Sequence, residues 1–122
     1  MNEHKEELKD PVLEADQIAH DGDPAQATQI YLSILNGSHA DQDSLLRVTF
    51  RLVKMGEVGL AKPHIGRMVG LAGKSRDSWR QLHRTLRAHF SLGSCHKRRG
   101  SQEEAAPHLL FVRECRRQRA LA

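Results

Sequence analysis

Aromatic side chains are scarce in this chain. One tryptophan, one tyrosine and three phenylalanines make up 4% of its 122 residues, whereas a β-sandwich draws heavily on aromatic and β-branched residues. Long apolar runs are missing too, since none approaches the roughly 18 residues needed to cross a bilayer. Cysteine is limited to Cys95 and Cys115, twenty residues apart. That spacing makes neither a CxxC pair nor a zinc-ligand pattern. Both are read as reduced thiols, and a disulfide between them stays open because sequence does not supply its geometry. The N-terminal segment is polar and acidic and lacks the apolar stretch of a secretory signal, so a cytoplasmic location is expected. These absences argue against a membrane protein and a disulfide scaffold. A mass of 13.8 kDa suits one domain spanning residues 1–122. With 28% charged residues and a mean hydropathy of −0.58, the composition points to a small all-α domain.

Turn signals divide the chain. Asp21-Gly22-Asp23-Pro24, Asn36-Gly37-Ser38, Met55-Gly56-Glu57, Gly73-Lys74-Ser75 and Arg99-Gly100-Ser101 each combine a helix stop with a loop or a new start. Between them lie six segments, at about 11–21, 24–36, 41–55, 58–72, 76–98 and 102–119. Their apolar residues recur at helical spacing. Ala27, Ile30, Tyr31, Ile34 and Leu35 share one helix face, as do Leu45, Val48, Leu52 and Met55. No segment sustains two-residue alternation, so no strand is predicted. The short loops make neighbouring helices antiparallel hairpins.

An internal repeat is present. Gly and Ala stand five apart at Gly22/Ala27, again at Gly56/Ala61 and again at Gly100/Ala105. The first two glycines are 34 residues apart and the next two 44, which is one further repeat plus ten residues. Physically, Gly closes a helix where a left-handed backbone is needed, and a small residue five positions on lets the next helix cross closely. At these residues the chain resembles the tetratricopeptide repeat family, whose unit is a helix–turn–helix of about 34 residues. In that register the units are 8–41, 42–75 and 86–119, with 76–85 as an extension. Leu92-Gly93 falls on the family's Leu-Gly pair, and Tyr31, Ile65 and Leu109 fall on the large residue of the second helix. The large residue of the first helix is replaced by Pro11, Leu45 and His89, and its Gly by Ala15 and Thr49 in the first two units.

The resemblance implies an array of three antiparallel helical hairpins, a superhelix of about six helices that binds a peptide or protein in a groove lined by each unit's first helix. Gln17, Asp21, Arg47, Arg51, Lys54, His89 and His96 fall on that groove. The ten added residues contain no Pro or Gly and predict a long fifth helix, about 76–98, projecting beyond its partner and capped by Ser75 or Asp77. In the last segment Leu109, Leu110, Phe111 and Val112 form an apolar run too wide for one helix face. Either the long fifth helix covers the remainder, or the run is a dimer or partner surface at the C-terminal end.

Charge sharpens the expected partner. Residues 1–43 hold ten acids and two bases, a net −8, and residues 44–122 hold seventeen bases and five acids, a net +12. Arg76, Arg80, Arg84 and Arg87 share one stripe of the fifth helix. Arginine forks suit carboxylates and phosphates. The expected function is therefore that of an adaptor or small chaperone-like module for an acidic protein or peptide. The alternative is nucleic acid on Arg76–Arg87 together with Lys97, Arg98 and Arg99, although single-strand binders add stacking aromatics and only Trp79 and Phe90 are near. A third reading is self-assembly of acidic end to basic end. No catalytic role or cofactor is expected: GxSxG is absent, and Gly66, Gly70 and Gly73 do not form a phosphate loop. No metal site is expected, because His83, His89 and His96 have no HExxH pattern and no carboxylate nearby in sequence.

Overall fold

The computed structural model describes residues 10–37 and 41–121. Among the described residues there are helices and no strands: α1 Pro11–His20, α2 Pro24–Leu35, α3 Gln42–Lys54, α4 Val58–Ala61, a 3-10 turn Lys62–His64, α5 Ile65–Ala72, α6 Arg76–Arg98 and α7 Gln102–Leu121. The six expected segments are present, and the fold is all-α. The fourth is not continuous, because it divides at Pro63. Proline has no N–H to return to the preceding turn and its ring crowds that turn, so the helix tightens into the 3-10 turn before α5 resumes.

The helix starts follow from local chemistry. Asp10, Asp23, Asp41 and Ser75 each accept a hydrogen bond from the backbone N–H of Val12, Gln26, Ser44 and Ser78, at 2.9, 3.0, 2.9 and 3.0 Å. Such caps are each worth about 1 kcal/mol. Pro11 and Pro24 occupy first-turn positions where a missing N–H costs nothing.

The three repeated glycines build three equivalent corners. Gly22, Gly56 and Gly100 have φ of 101°, 86° and 79°. At each one, the glycine N–H and the next N–H bond back across the helix end: Gly22 to Ala19 O and Asp23 to Ile18 O, Gly56 to Val53 O and Glu57 to Leu52 O, Gly100 to Lys97 O and Ser101 to His96 O. This is the paired closure that satisfies the last carbonyls of a helix. The alanine that follows each glycine is sealed: Ala27, Ala61 and Ala105 are 0%, 0% and 1% exposed. The corners between hairpins differ, since Asn36 and Gly73 keep negative φ.

α3 is the central element and touches every other α-helix. Leu45, Val48, Leu52 and Val53 are fully buried on it, each burial contributing about 1.5–3 kcal/mol. One core cluster runs from Val12 in α1 to Cys115 in α7. Arg67 of α5 ties the second hairpin to the first by donating to the carbonyls of Leu35 and Gly37 at 3.1 and 3.3 Å.

α6 does not project beyond its partner. α7 runs on to Leu121 and pairs with the whole of α6, so that Arg119 lies over the Trp79 ring at 3.8 Å and Leu82 and Cys115 are both buried. The ten-residue extension is covered because α7 is 20 residues long, longer than the second helix of either preceding hairpin. The two helices approach most closely at Gly93, which faces Leu109 and His108.

Candidate partner-binding surface

The first helices of the three hairpins, α1, α3 and α6, border two adjoining cavities. One, of about 420 Å³, lies between Asp16, Ala19 and Tyr31 on one side and Arg51, Lys54 and Met55 on the other. The next, of about 350 Å³, lies between Leu46, Arg47 and Arg51 of α3 and Gln81, Arg84 and Thr85 of α6. Phe50 and Arg51 are common to both. Together they make a shallow groove bordered by α1, α3 and α6.

Two arginines of this groove already have partners. Arg47 Nη2 is 2.7 Å from Asp10 Oδ2, with Asp43 at 3.7 Å from Nη1. Arg51 Nε donates to Asp16 Oδ1 at 2.7 Å, and the Tyr31 hydroxyl donates to the same oxygen. The chemistry answers accordingly. The Arg47 hydrogen bond holds the Asp10 carboxyl below the usual range. At Asp16 burial pushes the carboxyl up, but the bonds from Arg51 and Tyr31 outweigh it and the net shift is downward. Burial, followed by the Asp16 hydrogen bond, pushes the Tyr31 hydroxyl up to about 12. Arg47 and Arg51 thus clamp the acidic first hairpin to the second. Gln17 and Asp21 of α1 bond to each other at 2.9 Å on the exposed side.

The α6 stripe stands differently. Arg76, Arg80, Arg84 and Arg87 are all exposed, and none makes an ion pair among the described residues. Lys54 is likewise exposed.

His89 lies in the core and not on the groove surface, a correction to its expected role. It is 0% exposed, packed between Phe50 and Phe111 with ring centroids 4.4 and 4.5 Å away. Its Nδ1 is 2.9 Å from Nδ1 of His108, which is also buried. One nitrogen of that pair carries the proton and the other accepts it, and among the described residues His89 Nε2 has no hydrogen-bond partner. Burial, with His108 a lesser cause, pushes His89 down to about 3. Burial also lowers His108, helped by His96 and Lys54. His96 is half-buried, stacked on His108 and 3.0 Å from Glu104.

The apolar run of α7 divides. Phe111 and Val112 are buried and Leu109 seats against Gly93, while Leu110 is 49% exposed. Cys95 and Cys115 are free thiols, and burial pushes the Cys115 thiol up to about 12. Among the described residues no three of His, Cys, Asp and Glu converge on a point that holds a metal ion, and no helix is long and apolar enough to cross a membrane.

His108 was not singled out from the sequence. Its signal was the hairpin register: positions reflected about the Gly100 corner meet, which brings 89 opposite 111, with 108 one turn away on the same face. Arg116 and Arg119 lie on Phe90 and Trp79 at 6.0 and 3.8 Å from the ring centroids. Set against family models, curated proteins and solved structures, the chain matches none.

Proposed function

We propose that this chain is a non-catalytic, protein-binding array of three helical hairpins of tetratricopeptide type, and that its cationic C-terminal half receives an acidic protein segment. The observation that carries the reading is the contrast between two sets of arginines. Arg47 and Arg51 are neutralised by Asp10 and Asp16, whereas Arg76, Arg80, Arg84 and Arg87 face solvent. Unpaired guanidinium groups on a rigid helix keep their donors free for carboxylates and steer an acidic partner during encounter. The equivalent corners at Gly22, Gly56 and Gly100 support the repeat assignment. The free thiols of Cys95 and Cys115 suit a reducing compartment such as the cytoplasm.

Nucleic acid is the weaker reading because the Trp79 face is occupied by Arg119, leaving little for base stacking. The test is affinity capture from native lysate with wild type beside Arg80→Glu/Arg84→Glu. An acidic protein retained by wild type at low salt, and lost by the variant, is the expected result. A gel shift with nucleic-acid probes at low salt and no acidic protein captured would overturn the proposal.

A further inference from the structure

The outer seam of the last hairpin carries a second, more selective feature. Two cavities follow one another along α6 and α7. The first, of about 300 Å³, is floored by Ala105, Ala106, Leu109 and Leu110, with Lys97 and Arg113 at its edges. The second, of about 400 Å³, is floored by Leu82, Leu86, Phe90 and Cys115, with Arg87, Arg116 and Arg119 at its edges. Among the described residues neither lining includes a carboxylate. Phe90 and Leu110 are each 49% exposed here, two of the few exposed large hydrophobic residues among the described residues.

Two further observations say what suits this trough. Arg119 is laid on Trp79 and Arg116 on Phe90. An aromatic face holds a guanidinium in place while leaving its edge N–H groups free. By contrast Arg117, one residue from Arg116, is already paired with Glu114. The trough also has the length and form of a helix seat. From Gln102 to Arg119 the α7 axis runs roughly 26 Å at about 1.5 Å per residue, and the groove between two antiparallel helices is where a third packs.

Resting on the reading above, the geometry points to the α6–α7 seam as the docking site for an acidic amphipathic helix of a partner protein. Its apolar stripe lies on Leu86, Phe90, Leu109 and Leu110, and its flanking Glu and Asp side chains reach Arg87, Arg113 and Arg116. This is the helix-in-groove mode, with anchors at i, i+3, i+4 and i+7. Charge on both rims selects acidic helices, and the apolar floor distinguishes an amphipathic helix from an acidic chain of no fixed pattern.

The experiment uses two synthetic peptides of about 18 residues, roughly the length of the seam as helices. Both are built from Leu and Glu in the same proportions. In one, Leu falls on a single helix face; in the other the order is permuted so that Leu is spread around the helix. Binding is read by anisotropy of a dye on the peptide and by emission of Trp79, the chain's one tryptophan. The amphipathic peptide is expected to bind at least about tenfold tighter than the permuted one. Leu110→Glu/Arg116→Glu, both exposed positions, is expected to weaken it at least about tenfold, and part of that difference should persist at about 0.5 M salt, where surface charge is screened.

If the peptides bind equally and only Arg80→Glu/Arg84→Glu weakens them, the seam is overturned and the charge-based reading stands. If neither peptide binds at low salt, both fall. If sedimentation shows a dimer that Leu110→Glu abolishes, the occupant is a second copy of this chain and the proposal of a partner helix is overturned.

Discussion

Gly93 lies directly beneath Leu109: a Cβ placed on Gly93 would stand 2.7 Å from Leu109 Cδ2 and 2.8 Å from its Cγ. Both distances are well inside van der Waals contact, and Leu109 Cγ is not a mobile tip. Gly93→Ala removes a helix penalty of about 1 kcal/mol but forces apart the most closely packed pair of helices, an overpacking cost of about 1–3 kcal/mol. Net destabilisation is expected in urea melts. Leu109→Ala in the same chain removes the clashing atoms, so the double variant should lose less than the sum of the two singles.

The corner glycines fail for a different reason. Among the described residues nothing lies within 4 Å of a Cβ built at Gly22, Gly56 or Gly100, so the constraint there is the positive φ. Alanine at each is expected to cost about 1–2 kcal/mol. Gly70, inside α5 and equally open, makes the contrast, because alanine there should stabilise by up to about 1 kcal/mol. Denaturant midpoints for Gly56→Ala and Gly70→Ala should therefore move in opposite directions.

These glycines also show how far the fold was legible. The Gly–Ala spacing reports a backbone requirement and a packing requirement that both act within one hairpin, and local requirements leave local traces. Hairpin register is equally local, so the placing of 89 against the turn that holds 108 and 111 was in principle within reach. What is settled between hairpins leaves no such trace. Nothing in the spacing of Arg47 and Arg51 distinguishes them from Arg80 and Arg84, yet the first pair is bound by α1 acids and the second is not. Pro63 was visible, but its effect depends on whether the helix bends or breaks, and that is decided by how α5 packs on α6 and α7.

The Asp16–Arg51–Tyr31 cluster should behave as one unit. Its members come from α1, α3 and α2, and the Asp16 and Arg51 side chains are 32% and 28% exposed. Hydrogen bonds to charged groups contribute about 1.5–3 kcal/mol. Arg51→Ala is expected to destabilise within that range, and Tyr31→Phe by about 1 kcal/mol. Arg80→Ala, on the open stripe, should stay within about 0.5 kcal/mol of wild type. A double-mutant cycle on Asp16→Asn and Arg51→Ala should show positive coupling; additivity would mean that the clamp does not hold the hairpins together.

Acid should unfold the third hairpin's core before the carboxylates titrate. His89 falls from an ordinary 6.5 to about 3 in the folded chain, and His108 is lowered as well. Both are therefore neutral when folded and take up protons more readily when unfolded. Their contribution is fully present above about pH 6.5 and is lost as pH falls towards the folded values, with a slope of up to about 1.4 kcal/mol per pH unit for each proton. Asp10 and Asp16, held below their ordinary 3.8, begin to contribute to acid loss only at lower pH. The window from about pH 6.5 to about pH 4.5 thus belongs to the histidines. Groups facing the pair include Lys54 and His96, which disfavour a second positive charge, while Glu104 is engaged by His96. Urea midpoints measured across that window should fall steadily for wild type. For His89→Leu, which keeps an apolar side chain between Phe50 and Phe111, the slope should flatten; an unchanged slope would show that the buried imidazole pair is not the acid-sensitive element.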